Sequence, residues 1–235
     1  MRNILIQGAQ NYNIALADAD VLSFYRYFEF LVEKNRVMNL TAITGEKDMA
    51  ELHLLDSLAL LTLDSFGGKT VIDIGSGAGF PGIPMKIIEK SLKLTLLDAQ
   101  QKKVAFLREL CGILKIPDIT CIQARAEEAA LLSGLRDNFD FAVSRAVARL
   151  TVLSEICLPF VKNGGAFIAM KGTDSDEEIK EATNAFKILG AEIEKISDYK
   201  IPGTSVTHRA IILRKRTATP AGYPRRYAKI QKNPL

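Results

Sequence analysis

The sequence predicts an α/β fold: a parallel sheet with a block of helices placed ahead of it. Three observations carry this. From Lys69 onward, short β-forming runs alternate with helical segments, the pattern of strands joined by crossover helices. The first of those runs, Val71-Ile72-Asp73-Ile74, leads at once into Gly75-Ser76-Gly77-Ala78-Gly79-Phe80-Pro81-Gly82. That is a strand–loop–helix junction whose glycines let the backbone turn tightly and approach a ligand closely. Ahead of it, roughly the first 65 residues read as helical by periodicity.

In the N-terminal block, Val21, Phe24, Tyr25, Phe28, Leu31 and Val32 form one apolar stripe at helical spacing, with Asp20 as its cap. The stretch from Asn39 to Gly45 reads as a loop. A second helix runs from about Lys47 to Leu63, with Leu54, Leu55, Leu58 and Leu61 on its apolar face and His53, Asp56 and Ser57 beside that face. The candidate strands of the α/β part are Val71–Ile74, Leu92–Leu97, Ile119–Gln123, Phe139–Ser144 and Gly165–Met170. Helices begin near Pro81, Ala99, Ala126 and Arg149. A further helix over Asp174–Leu189 opens with acids, which suits the helix dipole, and Gly190 fits its C-terminal cap. Two last strands, near Glu192–Tyr199 and His208–Leu213, are separated only by a turn at Pro202-Gly203 and therefore pair antiparallel. The organisation expected is an N-terminal helical extension (1–66) packed on the core, a central domain (67–214) and a basic C-terminal tail (215–235).

A hydrophobic content of 48% with 25% charged residues is that of a globular chain with a sizeable core. The net charge of +4 is unevenly spread. Arg214, Lys215, Arg216, Arg225, Arg226, Lys229 and Lys232 crowd the last 22 positions without an acid. Such an end reads either as a nucleic-acid arm or as a solvated, disordered terminus. Cys111, Cys121 and Cys157 are widely spaced and form no metal-ligand pattern, so free thiols in a reducing compartment and no metal are expected. The N-terminus shows no basic-plus-apolar signal, and no apolar run approaches the ~20 residues of a membrane span. The chain reads as soluble and cytoplasmic.

The chemistry concentrates at strand ends. Gly77 to Gly82 matches GxGxxG, the nicotinamide-cofactor fingerprint. Asp73, two residues before the first glycine, instead gives the Asp-Ile-Gly-Ser-Gly-Ala-Gly form typical of S-adenosylmethionine sites. Helices ahead of the sheet and a hairpin at its end also differ from the usual dehydrogenase order. Asp98 ends the second strand, where a carboxylate accepts hydrogen bonds from both ribose hydroxyls of an adenosine; either cofactor uses that device. Ala126 and Glu127 follow the third strand, where a backbone N–H and a carboxylate read an adenine edge, or where an acidic helix simply begins. Arg145 ends the fourth strand and suits a carboxylate, a phosphate or a base face. No Asn/Asp-Pro-Pro-aromatic tetrapeptide and no nucleophilic Cys stands there, which argues against adenine-amine and cytosine-C5 methylation. Lys171 ends the fifth strand at the same rim. His53, Asp56 and Ser57 do not make a hydrolase triad, because there is no nucleophile elbow and one helix cannot build an oxyanion hole. Helix packing or substrate contact is the expectation for His53 and Asp56, and a structural role for His208.

Taken together, Asn39-Leu40-Thr41, His53-Leu54-Leu55-Asp56-Ser57, Asp73 through Pro84, Leu96-Leu97-Asp98, Ser144-Arg145-Ala146 and Met170-Lys171-Gly172 resemble the RsmG (GidB) family of 16S rRNA guanine-N7 methyltransferases, in the family's order over roughly residues 20–214. The resemblance implies a class I S-adenosylmethionine-dependent methyltransferase fold, Rossmann-like, with seven strands, mostly parallel, the last antiparallel. It implies S-adenosylmethionine as cofactor, S-adenosylhomocysteine as product, and 16S rRNA or the small ribosomal subunit as partner. Cofactor contacts are expected at Asp73, Gly75, Gly77, Gly79, Phe80, Asp98, Ala126, Glu127 and Arg145, with Arg145 orienting the reactants. RNA contacts are expected at His53, Asp56, Lys171, Arg225 and Arg226, with Tyr223 and Tyr227 placed to stack on bases. A monomer with no membrane contact is expected. The rival readings are a small-molecule methyltransferase or an NAD-dependent oxidoreductase on the same fold, and a non-catalytic RNA-binding module.

Overall fold

The computed structural model describes residues 1–145 and 148–235. Ala146, in the segment after β4, lies outside them. Seven strands form one sheet in the order β3-β2-β1-β4-β5-β7-β6. They are β1 (Thr70–Ile74), β2 (Lys93–Asp98), β3 (Ile119–Gln123), β4 (Phe139–Arg145), β5 (Val161–Gly172), β6 (Ala191–Lys200) and β7 (Thr207–Lys215). β1 pairs in parallel with both β2 and β4, while β7 runs antiparallel between β5 and β6. The chain first winds outward from β1 to β3 and then returns to β4. Strand order therefore reverses between β1 and β4, and a crevice opens beyond their carboxyl ends.

Alternation along each buried strand feeds two cores, one on each face of the sheet. Val71, Leu94, Leu96, Phe141, Val143 and Ile168 point to one face. Helices α1 (Arg2–Gln10), α2 (Asp18–Met38), the helical stretch 46–62, α5 (Gly82–Ile88) and α6 (Gln101–Leu114) cover it. Ile72, Ile74, Leu97, Ala142, Phe167 and Ile211 point to the other, under α7 (Ala126–Ala129), α8 (Leu150–Cys157), α9 (Asp176–Ile188) and α10 (Tyr227–Lys232). The N-terminal residues thus complete one of the two cores. In α2 the buried stripe is Val21, Phe24, Tyr27 and Leu31, and Tyr25 stands off it. Asp20 lies inside the helix and accepts the Ala17 N–H, so it caps from the third helical position. The stretch 46–62 starts as α3 (Glu46–Asp48), widens to a π-helix over Met49–Leu55, returns to α4 (Asp56–Leu58) and tightens to a 3₁₀ turn over Ala59–Thr62. Wide π turns of this kind are frequent at functional sites. Among the described residues no helix is long and apolar enough to cross a membrane.

The basic end departs from the expectation of a free arm. Lys215 is wholly buried, its Nζ donating to the Leu158 carbonyl and the Thr219 hydroxyl at 2.8 and 2.7 Å. Arg214 pairs with Glu194 and Asp64, and Arg216 with Glu192. Arg225 donates from Nε and Nη2 to the two oxygens of Glu155, a carboxylate with no solvent exposure. Ile230 is buried in the second core, with Tyr223 and Tyr227 packed against it. The physical reason is that these cations find partners within the chain: Glu192 and Glu194 of β6 and Asp64 for Arg216 and Arg214, carbonyls and the Thr219 hydroxyl for Lys215, and the buried Glu155 of α8 for Arg225.

Removing one partner of a buried ion pair strands the other, at about 3–5 kcal/mol. Glu155→Ala is accordingly expected to lower the unfolding free energy by about 3 kcal/mol, measured by urea denaturation. A loss under ~1 kcal/mol, the scale of an exposed pair, would contradict the buried geometry.

Candidate active site

The glycine loop is held from below. Gly75 and Ser76 donate their N–H groups to the Leu97 carbonyl at 2.8 and 3.1 Å, tying the loop to the end of β2. Tyr27, fully buried in α2, donates its hydroxyl to the Ala78 carbonyl. Gly79 has φ +102°, and a Cβ there would meet Ile83 and the Tyr27 hydroxyl at 2.6 and 2.7 Å, so a side chain would break both the turn and the pin. At the start of α5 the Gly82 N–H donates to Asp73 Oδ2 at 2.9 Å, and a Cβ on Gly82 would collide with that same oxygen at 2.8 Å. Asp73 is wholly buried; burial pushes its carboxyl up to about 7, only partly offset by the Gly82 N–H and Arg145. Its Oδ1 has no hydrogen-bond partner among the described residues.

Beside this loop lies a cavity of about 430 Å³, lined by Gly75, Asp98, Ala126, Glu127, Arg145 and Tyr227 among others. Asp98 Oδ2 accepts the Gly77 N–H at 3.0 Å and Oδ1 the Gln100 N–H at 2.8 Å. Each carboxylate oxygen has two lone pairs, so both keep one for an incoming hydroxyl. Of the residues expected at the cofactor, Gly75, Asp98, Ala126, Glu127 and Arg145 line this cavity. Asp73, Gly77, Gly79 and Phe80 stand behind it and shape the loop. Phe80 is buried, stacked between Tyr27 at 5.1 Å and His53 at 4.4 Å, with the Arg145 guanidinium 5.0 Å from its centroid.

A second cavity, of about 600 Å³, opens on the other side of Arg145 and is lined by His53, Asp56, Lys171, Glu178 and His208. One of its lining residues, Asp56, is fully buried. Arg145 Nη1 donates to Asp56 Oδ2 at 2.9 Å, while Tyr199 and His208 contact Oδ1 at 2.9 and 2.8 Å. Burial pushes the Asp56 carboxyl up, but the His208 hydrogen bond and the Arg145 charge outweigh it and hold the group below the usual carboxylate range. Arg145 also donates to the Leu52 carbonyl at 3.1 Å and to His53 Nδ1 at 2.9 Å. Arginine only donates, so His53 Nδ1 is the acceptor and its proton resides on Nε2, which faces the Thr41 hydroxyl at 2.9 Å. Asn35 holds that loop by accepting the Leu40 and Thr41 N–H groups. Burial and the adjacent guanidinium push His53 down to about 4, whereas Asp56 raises His208.

Arg145 is thus the one expected site residue shared by both cavities. Lys171 reaches the same rim but is not a free cation: it donates to the Ala148 carbonyl and to Glu178 at 3.0 and 2.7 Å. Arg225, expected at RNA, is paired with the buried Glu155. Arg226 is exposed, at the foot of α10. Ser57 donates to the His53 carbonyl at 2.6 Å, a helix-internal bond. Sequence reasoning missed Tyr199, gave His208 only a structural role and placed Tyr227 against RNA, whereas Tyr199 and His208 contact Asp56 and Tyr227 lines the first cavity. His208 comes to the site through strand register alone, opposite Gly172 on β5 and Tyr199 on β6.

The model of the GidB family, rRNA small subunit methyltransferase G, matches residues 21–207. Ribosomal RNA small subunit methyltransferase G of Acetivibrio thermocellus is 42% identical over 235 residues, covering 100% of this chain and 97% of that protein. The protein of the same name from Caldanaerobacter subterraneus is 44% identical over 233 residues, covering 99% and 97%. Among solved structures, an S-adenosylmethionine-dependent O-methyltransferase from Thermotoga maritima superposes with a TM-score of 0.55 at 17% identity, covering 81% of this chain and 72% of that one. The M. jannaschii TYW2 complex with AdoMet gives 0.54 at 13% identity, covering 73% and 77%. At these identities the two structures establish the class I methyltransferase fold.

The chain has only two histidines, and the Asp56 cluster predicts that they titrate apart. In proton NMR, one imidazole is expected to titrate above 6.5 and the other near 4. The linkage signs differ. His208 contributes stability that is full below pH ~6.5 and lost as pH rises through its raised value; His53 contributes stability present above ~6.5 and lost as pH falls toward its lowered one. Asp56→Asn should bring the upper midpoint down. Two midpoints both near 6.5 would refute the contacts.

Proposed function

This chain belongs to the rRNA small subunit methyltransferase G family, and from that premise we propose that it transfers a methyl group from S-adenosylmethionine to N7 of a guanine in 16S rRNA of the small ribosomal subunit. The observation that carries the proposal is the pair of cavities meeting at Arg145. One has the features a nucleoside cofactor needs and the other holds a neutralised cation beside an accessible rim. When bound, S-adenosylmethionine supplies an electrophilic methyl on a sulfonium.

The residues fit that cofactor. Asp98 offers an open lone pair on each oxygen to the two ribose hydroxyls. Ala126, first residue of α7, has an N–H with no acceptor inside its helix, and the buried Glu127 carboxylate is next to it; together they suit an adenine edge. The unpartnered oxygen of Asp73 lies under the loop one residue from Ile74, which lines the cavity. A positive charge brought to the loop would favour the ionised form of that carboxyl.

Guanine N7 has an exposed lone pair and no proton to lose, so its attack on the methyl needs no general base. Catalysis then rests on alignment, which is worth up to ~7–11 kcal/mol. The purine gains positive charge as it reacts, and a free guanidinium nearby would oppose that. Asp56 meets this requirement: it neutralises Arg145 and, with the Leu52 carbonyl and His53, fixes where the guanidinium points. Arg145 therefore serves as a rigid divider that orients both reactants. The Asp174, Glu178 and Lys171 side of the second cavity faces the acceptor. Arg226, Lys229 and Lys232 on the exposed side of α10 supply salt-sensitive attraction to phosphates. Action as a monomer, in the cytoplasm where ribosomal subunits are made, completes the proposal.

The test is incubation with methyl-labelled S-adenosylmethionine and small subunits or 16S rRNA from cells lacking this enzyme. Label as 7-methylguanine at a single 16S position is expected; binding of the cofactor without RNA labelling would move the reading to a small-molecule methyltransferase. Asp98→Asn is expected to weaken S-adenosylhomocysteine binding by about tenfold or more, the scale of a lost charge-assisted hydrogen bond. Calorimetry measures this directly, and an unchanged affinity would remove Asp98 from the ribose.

A further inference from the structure

The segment after β7 lies beyond residue 207, where the family match ends. It is nevertheless tied down at several separate points. Thr219 accepts Lys215 Nζ at 2.7 Å and donates to the Leu189 carbonyl at 3.2 Å. Arg136 donates from Nη2 to the Thr219 carbonyl at 2.8 Å and from Nη1 to the Tyr223 carbonyl at 2.9 Å. Arg225 grips Glu155 through both its side chain and its own N–H, the last at 2.8 Å. One turn further on, Ile230 inserts into the core. A terminal segment ordered in this way costs backbone entropy at every residue, and each contact fixes the start of α10.

The first residue of α10 is Tyr227. It lines the same cavity as Asp98, Ala126 and Glu127, and the Arg125 guanidinium, from the turn before α7, sits 5.7 Å from its ring centroid. An aromatic ring positioned beside an adenine-reading turn has the shape and polarisability to cover a nucleoside face. We propose that Tyr227 is a cofactor-binding residue: the C-terminal segment is a strap that delivers its ring as a wall of the S-adenosylmethionine nucleoside pocket. This rests on the reading of that cavity as the cofactor site. It also takes Tyr227 away from the RNA, where its place in a basic tail would put it.

The test uses the full chain and S-adenosylhomocysteine. By calorimetry, Tyr227→Ala is expected to weaken binding about tenfold or more, the scale of a lost aromatic–base stack, while Tyr227→Phe stays within about twofold of wild type. Because the sequence has no tryptophan, Tyr227→Trp introduces a single indole whose emission reports on the pocket directly. Its emission is expected to shift or quench on saturation, a response that a purely structural role for the position does not produce. Unchanged affinity of Tyr227→Ala overturns the proposal; should that variant fail to fold, indifference of the Tyr227→Trp emission to saturating ligand overturns it instead. Failure of the wild-type chain to bind S-adenosylhomocysteine would reject the cofactor reading of the cavity, a distinct result visible before any variant is made.

Discussion

A carboxylate with no access to water must be paired, and Asp56 is the group on which the rest of this molecule depends. Its partners come from positions 89, 143 and 152 residues away. Satisfying it joins the π-wound N-terminal helix to the ends of β4, β6 and β7. The helices ahead of the sheet therefore wall the second cavity of the candidate site. The same pairing fixes Arg145, and Arg145 in turn fixes the tautomer of His53 and stands against Phe80 beside the glycine loop. A charge requirement at one atom thus propagates to both cavities.

Under the proposed N7 methylation, the contacts around Arg145 account for a site that needs no general base and is still rich in titratable groups. These groups set charge and direction. His53 is kept neutral, His208 is drawn toward its charged form, and Asp56 stays ionised. The net effect is a guanidinium whose charge is already answered when a purine begins to turn cationic.

Much of this was legible in the sequence. The alternation of β-forming runs with helical segments and the turn at Pro202-Gly203 marked all seven strands, and the acids and cations at strand ends marked the crevice, because a parallel sheet must place its loops there. His53, Asp56 and Arg145 were identifiable as residue types at suitable positions. Their mutual contact was not, since it depends on how the N-terminal helix docks. His208 and Tyr199 were hidden for a related reason: their position follows from the register of an antiparallel pair, which local pattern leaves undetermined. The basic end misled because composition counts charges without their partners. The available signal was Glu155, an acid inside the apolar run Leu150–Cys157, which needs a cation from elsewhere in the chain.

The most direct measurement is a crystal structure with S-adenosylhomocysteine bound. The account predicts the ribose on Asp98, the base against Ala126 and Glu127, and the sulfur directed toward Arg145 with the Arg145–Asp56 pair intact. A nucleoside bound instead among His53, Lys171 and His208, or an Arg145 released from Asp56, would contradict it.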